Sequence, residues 1–307
     1  MNGFINVLKP TGMTSHDVVK VLRRILGEKK TGHTGTLDPM AVGVLPVGIG
    51  SATKVTEYLD GDFKAYRCEL KLGITTDTGD IWGENISQNP VSEVDESRVY
   101  SFENEYRGEI LQKPPMYSAV RVGGKRLYEY ARSGEEVEVK SRKITIRNLK
   151  IVSIKGDRIL FDVVCSKGTY IRTICTEMGE KLGTGAAMTF LARTGSGAFN
   201  IQEAVTFEEL QARADSGLGF DDMILPVDFP LRDFPKASLQ EKQAQIFVNG
   251  GHIKLYKVTF EDCDRAAKED GSPQYYRVYK GSDFIAMGYI NEETKRLVPH
   301  KVFFREF

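Results

Sequence analysis

From Gly32 to Val47 the chain carries a single carboxylate, Asp38, within the run Gly32-His33-Thr34-Gly35-Thr36-Leu37-Asp38-Pro39-Met40-Ala41-Val42-Gly43. An Asp before a proline commonly caps a turn. Buried among glycines and apolar residues, the same group is costly unless a cation pairs with it. Arg172 is a candidate for that cation. It falls in the first turn of a helix expected over residues 170–181, where a positive charge opposes the helix dipole. It also lies off the apolar stripe of Ile171, Ile174, Cys175, Met178 and Leu182. Such an Arg is either kept for a partner like Asp38 or lies on the surface with its stem over the helix.

Other chemistries fit these residues poorly. An acid–base glycosidase needs two cooperating carboxylates, and no second one stands out. Gly48-Ile49-Gly50-Ser51-Ala52-Thr53-Lys54 lacks the Gly-Lys-Ser/Thr ending of a phosphate cradle. Cys68, Cys165, Cys175 and Cys263 form no C-x-x-C pair and have no nearby histidine at ligand spacing. Neither a zinc site nor a disulfide framework is expected, and the thiols read as reduced core residues.

The elements that must hold Asp38 and Arg172 follow from pattern. A short strand over 4–8 precedes a helix over 15–26, with Ser15 as cap and Asp17 in its first turn. Val18, Val21, Leu22, Ile25 and Leu26 make one stripe, and Gly27 ends the helix. Residues 31–50, punctuated by glycines and by Pro39 and Pro46, are expected as a tight loop. Residues 64–72 alternate, with Tyr66, Cys68, Leu70 and Leu72 on one face, as in a half-buried strand. Two further strands over 144–165 join at Lys155-Gly156-Asp157. Strands and helices mix without regular β-α-β alternation, which argues for an α+β domain on a mixed or antiparallel sheet. Past Pro226, Pro230 and Pro235, short strands over 252–260, 274–280, 284–290 and 297–304 imply a small β-rich module. A turn is expected at Asn291-Glu292-Glu293-Thr294. The expected division is 1–234 and 235–307.

Length and charge bound the function. A chain of 307 residues suits one large domain plus a small one. Formal net charge is zero, which does not favour a general nucleic-acid binder. The charge is uneven, however. Basic residues gather in 1–35 and 113–147, and acidic ones in 203–233, so one basic face is possible on a neutral protein. No run of about 18 apolar residues is present, so no membrane span is expected, and the N-terminus is too weakly apolar for a signal peptide. A soluble, cytoplasmic protein is the expectation.

Five blocks in order then resemble the TruB family of tRNA pseudouridine synthases. Gly32 to Pro39 is similar to its catalytic-aspartate motif, and Lys9-Pro10-Thr11-Gly12-Met13-Thr14-Ser15 to its N-terminal block. Lys64-Ala65-Tyr66 with Leu72 to Asp80, Gln112 to Arg121 with Gly124 to Tyr128, and Lys167 to Arg172 complete the set. Leu8 departs from the pattern, since an acidic residue often precedes the Lys-Pro pair. The match to the family's PUA-like RNA-binding C-terminal domain is loose.

The resemblance implies isomerisation of uridine 55 in the T loop of tRNA, after the base is flipped from its stack. No cofactor or metal is required, because the reaction is neither redox nor group transfer. Asp38 would be the nucleophile or base, and Arg172 would hold it ionised and aimed. Tyr66 would stack on the base and assist proton removal, although on its apolar face it could equally be core. Tyr170 and Leu191 would line the pocket, and His33 would fill the vacated stacking space. Lys9 is placed among the substrate-binding residues. The expected partner is the tRNA T-arm stem-loop, bound by a monomer without a membrane or an obligate protein partner. A non-catalytic RNA binder on the same scaffold is the rival, and the set Asp38, Tyr66 and Arg172 argues against it.

Overall fold

The computed structural model describes residues 1–59, 61–261 and 273–304, which leaves Cys263 outside the described residues. Its first part runs β1 (Gly3–Lys9), α1 (Ser15–Leu26), β2 (Thr31–His33), β3 (Val42–Ile49), β4 (Lys64–Leu72), β5 (Ile74–Thr76) and β6 (Asn85–Gln88). There follow α2 (Glu96–Glu105), β7 (Gly108–Gln112), β8 (Arg121–Val122), β9 (Lys125–Arg126), α3 (Leu127–Ser133), β10 (Arg142–Lys155) and β11 (Arg158–Cys165). Then come α4 (Ile171–Lys181), β12 (Ala186–Ser196), β13 (Phe199–Asn200) and α5 (Phe207–Asp215).

The large sheet has the order β1-β3-β12-β4-β11-β10-β7, with β2 on β3 and β13 on β12. Its pairings are antiparallel except β3 with β12. This is the α+β, mixed-sheet architecture that the irregular element order implies. Alternation along β4 sends Tyr66, Cys68, Leu70 and Leu72 into the core. There they meet Ile174, Cys175 and Met178 of α4 and Val99 and Phe102 of α2. The outward residues Arg67 and Glu69 pair across to Asp162 and Arg158 of β11, at 2.7 and 2.5 Å. One covered face and one wet face account for the clean period of two. Cys68 and Cys175 are free thiols with their Sγ atoms 3.5 Å apart in this core.

Three expectations change. Residues 31–50 are not all loop: β2 and β3 occupy most of them, and only residues 34–41 and Gly50 lack a strand. Val44, Leu45, Val47 and Ile49 are fully buried, and that burial outweighs the punctuation by Gly43 and Pro46. Gly43 has φ +111°, and a Cβ there would meet the Arg193 carbonyl at 2.2 Å, so glycine lets β3 lie against β12. The cap of α1 is Thr14 rather than Ser15, in a reciprocal box with Asp17. The fully covered face of α1 is Val18, Val19, Leu22 and Leu26, with Val21 and Ile25 at its edge.

The second sheet contains β14 (Lys236–Leu239), β15 (Ile253–Lys254), β16 (Thr259–Glu261), β17 (Tyr275–Lys280), β18 (Asp283–Asn291) and β19 (Arg296–Val302). Helix α6 (Glu241–Val248) lies in chain order between β14 and β15. The stretch expected as one strand over 252–260 is split into β15 and β16 by a 3-10 turn at Leu255–Lys257. Neither β14 nor α6 is anticipated by sequence, because four and eight residues show too little periodicity. Phe247, Val278, Ile285 and Leu297 form a separate core. A further cluster joins the two sheets, with Phe4, Val55, Tyr58 and Phe199 against Tyr279, Phe284, Met287 and Phe303. No helix among the described residues is long and apolar enough to cross a membrane.

Candidate active site

The loop that carries Asp38 is held at its carbonyls from Gly35 to Ala41. Gly35 O and Thr36 O accept from the Arg193 guanidinium, and Leu37 O accepts from Ser15 Oγ. Asp38 O accepts from Ala41 N, and Pro39 O from Gly12 N at 2.8 Å and Lys9 Nζ at 3.3 Å. Met40 O accepts from Thr11 Oγ1, and Ala41 O from Lys9 Nζ at 2.7 Å. Seven consecutive carbonyls in an irregular segment are thus satisfied, which removes the usual freedom of a loop. Lys9, Thr11, Gly12 and Ser15 all come from the N-terminal block, so its spacing matches the needs of the loop backbone.

Lys9 therefore requires a correction. It is fully buried beneath the loop and does not line the cleft, so it cannot touch substrate in this arrangement. Its ammonium donates to three carbonyls, those of Pro10, Pro39 and Ala41. Burial lowers its pKa to about 8, with Asp38 opposing the shift. Replacing Lys9 by Met is expected to cost about 2–4 kcal/mol, because the Ala41 and Pro10 carbonyls lose their Lys9 donor and Pro39 O keeps only Gly12 N. The catalytic rate should drop in the folded fraction while affinity for RNA changes little. Urea unfolding and single-turnover assays check both; an unchanged midpoint would mean that the loop does not need this brace.

Arg172 reaches the loop from the opposite side. It occupies the first turn of α4, behind Tyr170 as N-cap, and is only 5% exposed. Its Nε donates to Asp38 Oδ2 at 2.9 Å, one terminal nitrogen to Thr78 O at 2.8 Å, and the other to Tyr117 O at 2.9 Å. The fork is thereby fixed in direction. The Asp38 side chain is 37% exposed, so the carboxylate is half-open rather than buried. One oxygen is held and the other is left to a cleft.

That cleft, of about 980 Å3, is lined by Asp38, Tyr66, Tyr170, Arg172, Leu191 and His33 among others. Tyr66 and Leu191 come from neighbouring strands β4 and β12, and both are nearly buried. Tyr170 is fixed by its backbone: its N–H donates to Gln112 Oε1 at 2.8 Å, and its carbonyl accepts from Gln112 Nε2 at 3.1 Å. His33 has a buried Nδ1 with no hydrogen-bond partner, and burial, Arg193 and His16 lower its pKa, favouring the neutral ring. The structure thus brings together six of the seven expected site residues; Lys9 stands behind them. Tyr117 and Tyr128 also line the cleft, while Tyr130 is tied to Val122 O.

Three contributors escape sequence reasoning. Asp80 is a second carboxylate, 3.8 Å from Arg172 Nε, and it accepts from Thr78 Oγ1 and Trp82 N. Arg193 is fully buried and donates to Val44 O at 2.7 Å, and its charge opposes the rise that burial imposes on the Tyr66 pKa. Lys64 lines the cleft two residues before Tyr66. An arginine within the apolar run Phe190-Leu191-Ala192-Arg193 is the one signal that could have marked Arg193.

Residues 23–171 match the N-terminal domain of the TruB family of pseudouridylate synthases. Residues 172–232 match the tRNA pseudouridylate synthase B C-terminal domain. A protein of Alkaliphilus oremlandii (strain OhILAs) called tRNA pseudouridine synthase B is 50% identical over 296 residues, covering 95% of this chain and 94% of that one. The protein of that name in Clostridioides difficile (strain 630) is 43% identical over 97% of each chain. Among solved structures, a Cbf5–Nop10–Gar1 complex matches with a TM-score of 0.74 at 26% identity, over 99% of this chain and 85% of that chain. An H/ACA RNP bound to a substrate RNA containing 2'-deoxyuridine shares the fold, with a TM-score of 0.75 at 24% identity, over 99% of this chain and 86% of that chain. On these matches the chain belongs to the TruB family of pseudouridylate synthases.

Proposed function

We propose that this chain isomerises uridine 55 in the T loop of tRNA to pseudouridine, as a cytoplasmic monomer without a cofactor, using Asp38 as its catalytic carboxylate. The observation that carries the reading is a carboxylate with one oxygen fixed by Arg172 and the other facing the cleft beside Tyr66. In the reaction the bond from ribose C1' to N1 breaks and one from C1' to C5 forms. C5 loses a proton and N1 gains one, so electrons and atoms balance internally. The free Asp38 oxygen starts the cleavage as nucleophile or base.

A base stacked in a loop cannot reach this oxygen, so the uridine is flipped into the cleft. Tyr66, Tyr170 and Leu191 then bracket the ring, and the neutral His33 at the mouth takes the vacated stacking position. Burial raises the pKa of the Tyr66 hydroxyl and the positive charge of Arg193 opposes that rise, and this hydroxyl is the group proposed to assist removal of the C5 proton. The sheet after residue 234 forms the PUA-like unit, residues 235–307, which adds RNA contact beyond the cleft.

Incubation with an unmodified tRNA transcript, followed by chemical mapping of pseudouridine, tests reaction and position together. Modification confined to position 55 supports the reading; none, or modification elsewhere, overturns it. Tyr66→Phe keeps the stacking face and removes the hydroxyl. It should slow turnover by about 10^2-fold with little change in RNA affinity. Wild-type turnover by this variant would assign Tyr66 to packing alone.

A further inference from the structure

Among the cations that line the cleft, Arg121 and Arg126 are exposed, whereas Lys64 is half-buried and has no ion pair among the described residues. Lys64 opens β4, and its side chain leaves the same face as Tyr66, roughly 6.6 Å along the strand. Among the described residues no hydrogen bond or ion pair holds its ammonium. The group comes to rest over Gly35: a Cβ at that position would lie 3.1 Å from Nζ. The titratable and charged groups facing it are Arg193, Lys167, Asp62 and Cys165. Two of these are positive, and burial raises the pKa of Cys165 to about 11, so that thiol is neutral near pH 7. Asp62 is the one carboxylate facing the ammonium and acts on it less than burial, Arg193 or Lys167, so a ligand that brings negative charge is favoured there.

A nucleotide supplies that charge at the right place. With its base on Tyr66 and its sugar toward Asp38, its phosphate extends from the ring by about the spacing that separates Tyr66 from Lys64 on the strand. We infer that Lys64 is the binding residue for the phosphate flanking the flipped uridine, an anion subsite built into the first residues of β4. The inference rests on the proposed reading of the cleft. Free Lys64 titrates low, at about 8, because burial comes first and Arg193 and Lys167 add to it. A bound phosphate restores the proton, so affinity should fall as pH rises through about 8.

The test uses the full chain carrying Asp38→Asn, which holds RNA without turnover, and a T-arm stem-loop. Adding Lys64→Gln should weaken binding roughly tenfold, as for loss of one charged hydrogen bond. It should also lower the slope of log Kd against log salt by about 0.7–0.9, and flatten the fall in affinity between pH 7 and 9. Lys64→Arg should recover most of the affinity. Neutral methylphosphonate linkages placed on each side of the target uridine give the deciding comparison. One of them should cost roughly tenfold with Lys64 present and little in the Gln variant. Equal losses in both proteins, or an unchanged affinity in the Gln variant, would overturn the inference. Should the Gln variant unfold, the linkage still decides on the Lys64 protein, since it must abolish the loss of affinity above pH 8. A wild-type chain that forms no pseudouridine defeats the catalytic reading, yet leaves this binding comparison readable.

Discussion

Asp38→Asn is expected to lower single-turnover formation of pseudouridine by at least about 10^3-fold while RNA affinity stays within about threefold. The amide has the shape of the carboxylate, and its oxygen still accepts from Arg172 Nε, so the loop keeps its place. The hydrogen bonds at carbonyls 35 to 41 involve no Asp38 side-chain atom and survive the change. What disappears is the negative oxygen that faces the cleft. Binding by filter or fluorescence titration and product by chemical mapping separate these effects. Near-normal turnover in the Asn protein would move catalysis to another group, and Asp80 would be the next to change.

Arg172→Ala is expected to reduce turnover by about 10^2- to 10^3-fold, for a different reason. Truncation frees Asp38 Oδ2 and leaves Thr78 O and Tyr117 O without their donor. It also removes the cation that Asp38 and Asp80 share, at 2.9 and 3.8 Å from Arg172 Nε. Stability should drop by about 3 kcal/mol, as for a buried pair broken on one side. Rates must therefore be normalised to folded protein by thermal melting. Arg172→Lys keeps the charge without the fork and should fall between the two. A deficit under tenfold for the Ala variant would show that Asp38 is aimed by something else.

The same contrast separates what could be read from residues alone. Asp38 and Arg172 are each anomalous where they stand, a carboxylate in an apolar glycine-rich run and a cation at a helix start. Local physics marks both, and they meet at 2.9 Å across 134 positions of sequence. The alternation of β4, the α4 stripe and the hairpin at Gly156 are legible for a related reason. Each is a periodicity longer than its own noise, imposed by one buried face.

Lys9, Arg193, Asp80 and Lys64 were not legible in their roles. A lysine after a strand looks like any solvated cation, and only the packed fold shows Lys9 enclosed by three carbonyls. Arg193 lies in β12 between β3 and β4, and a parallel neighbour of that kind leaves no local pattern. The reading of residues 31–50 as loop failed because glycine and proline report backbone freedom, whereas β3 is made by burial between β1 and β12.

Residue types and their local spacing thus singled out a candidate carboxylate, a candidate cation and the class of fold, and the family resemblance supplied the roles expected of the first two. Which groups brace the loop, which carboxylate shares the guanidinium and which ammonium stays without an anion depend on contacts across distant strands. Such contacts arise only when the sheet closes and desolvates them together.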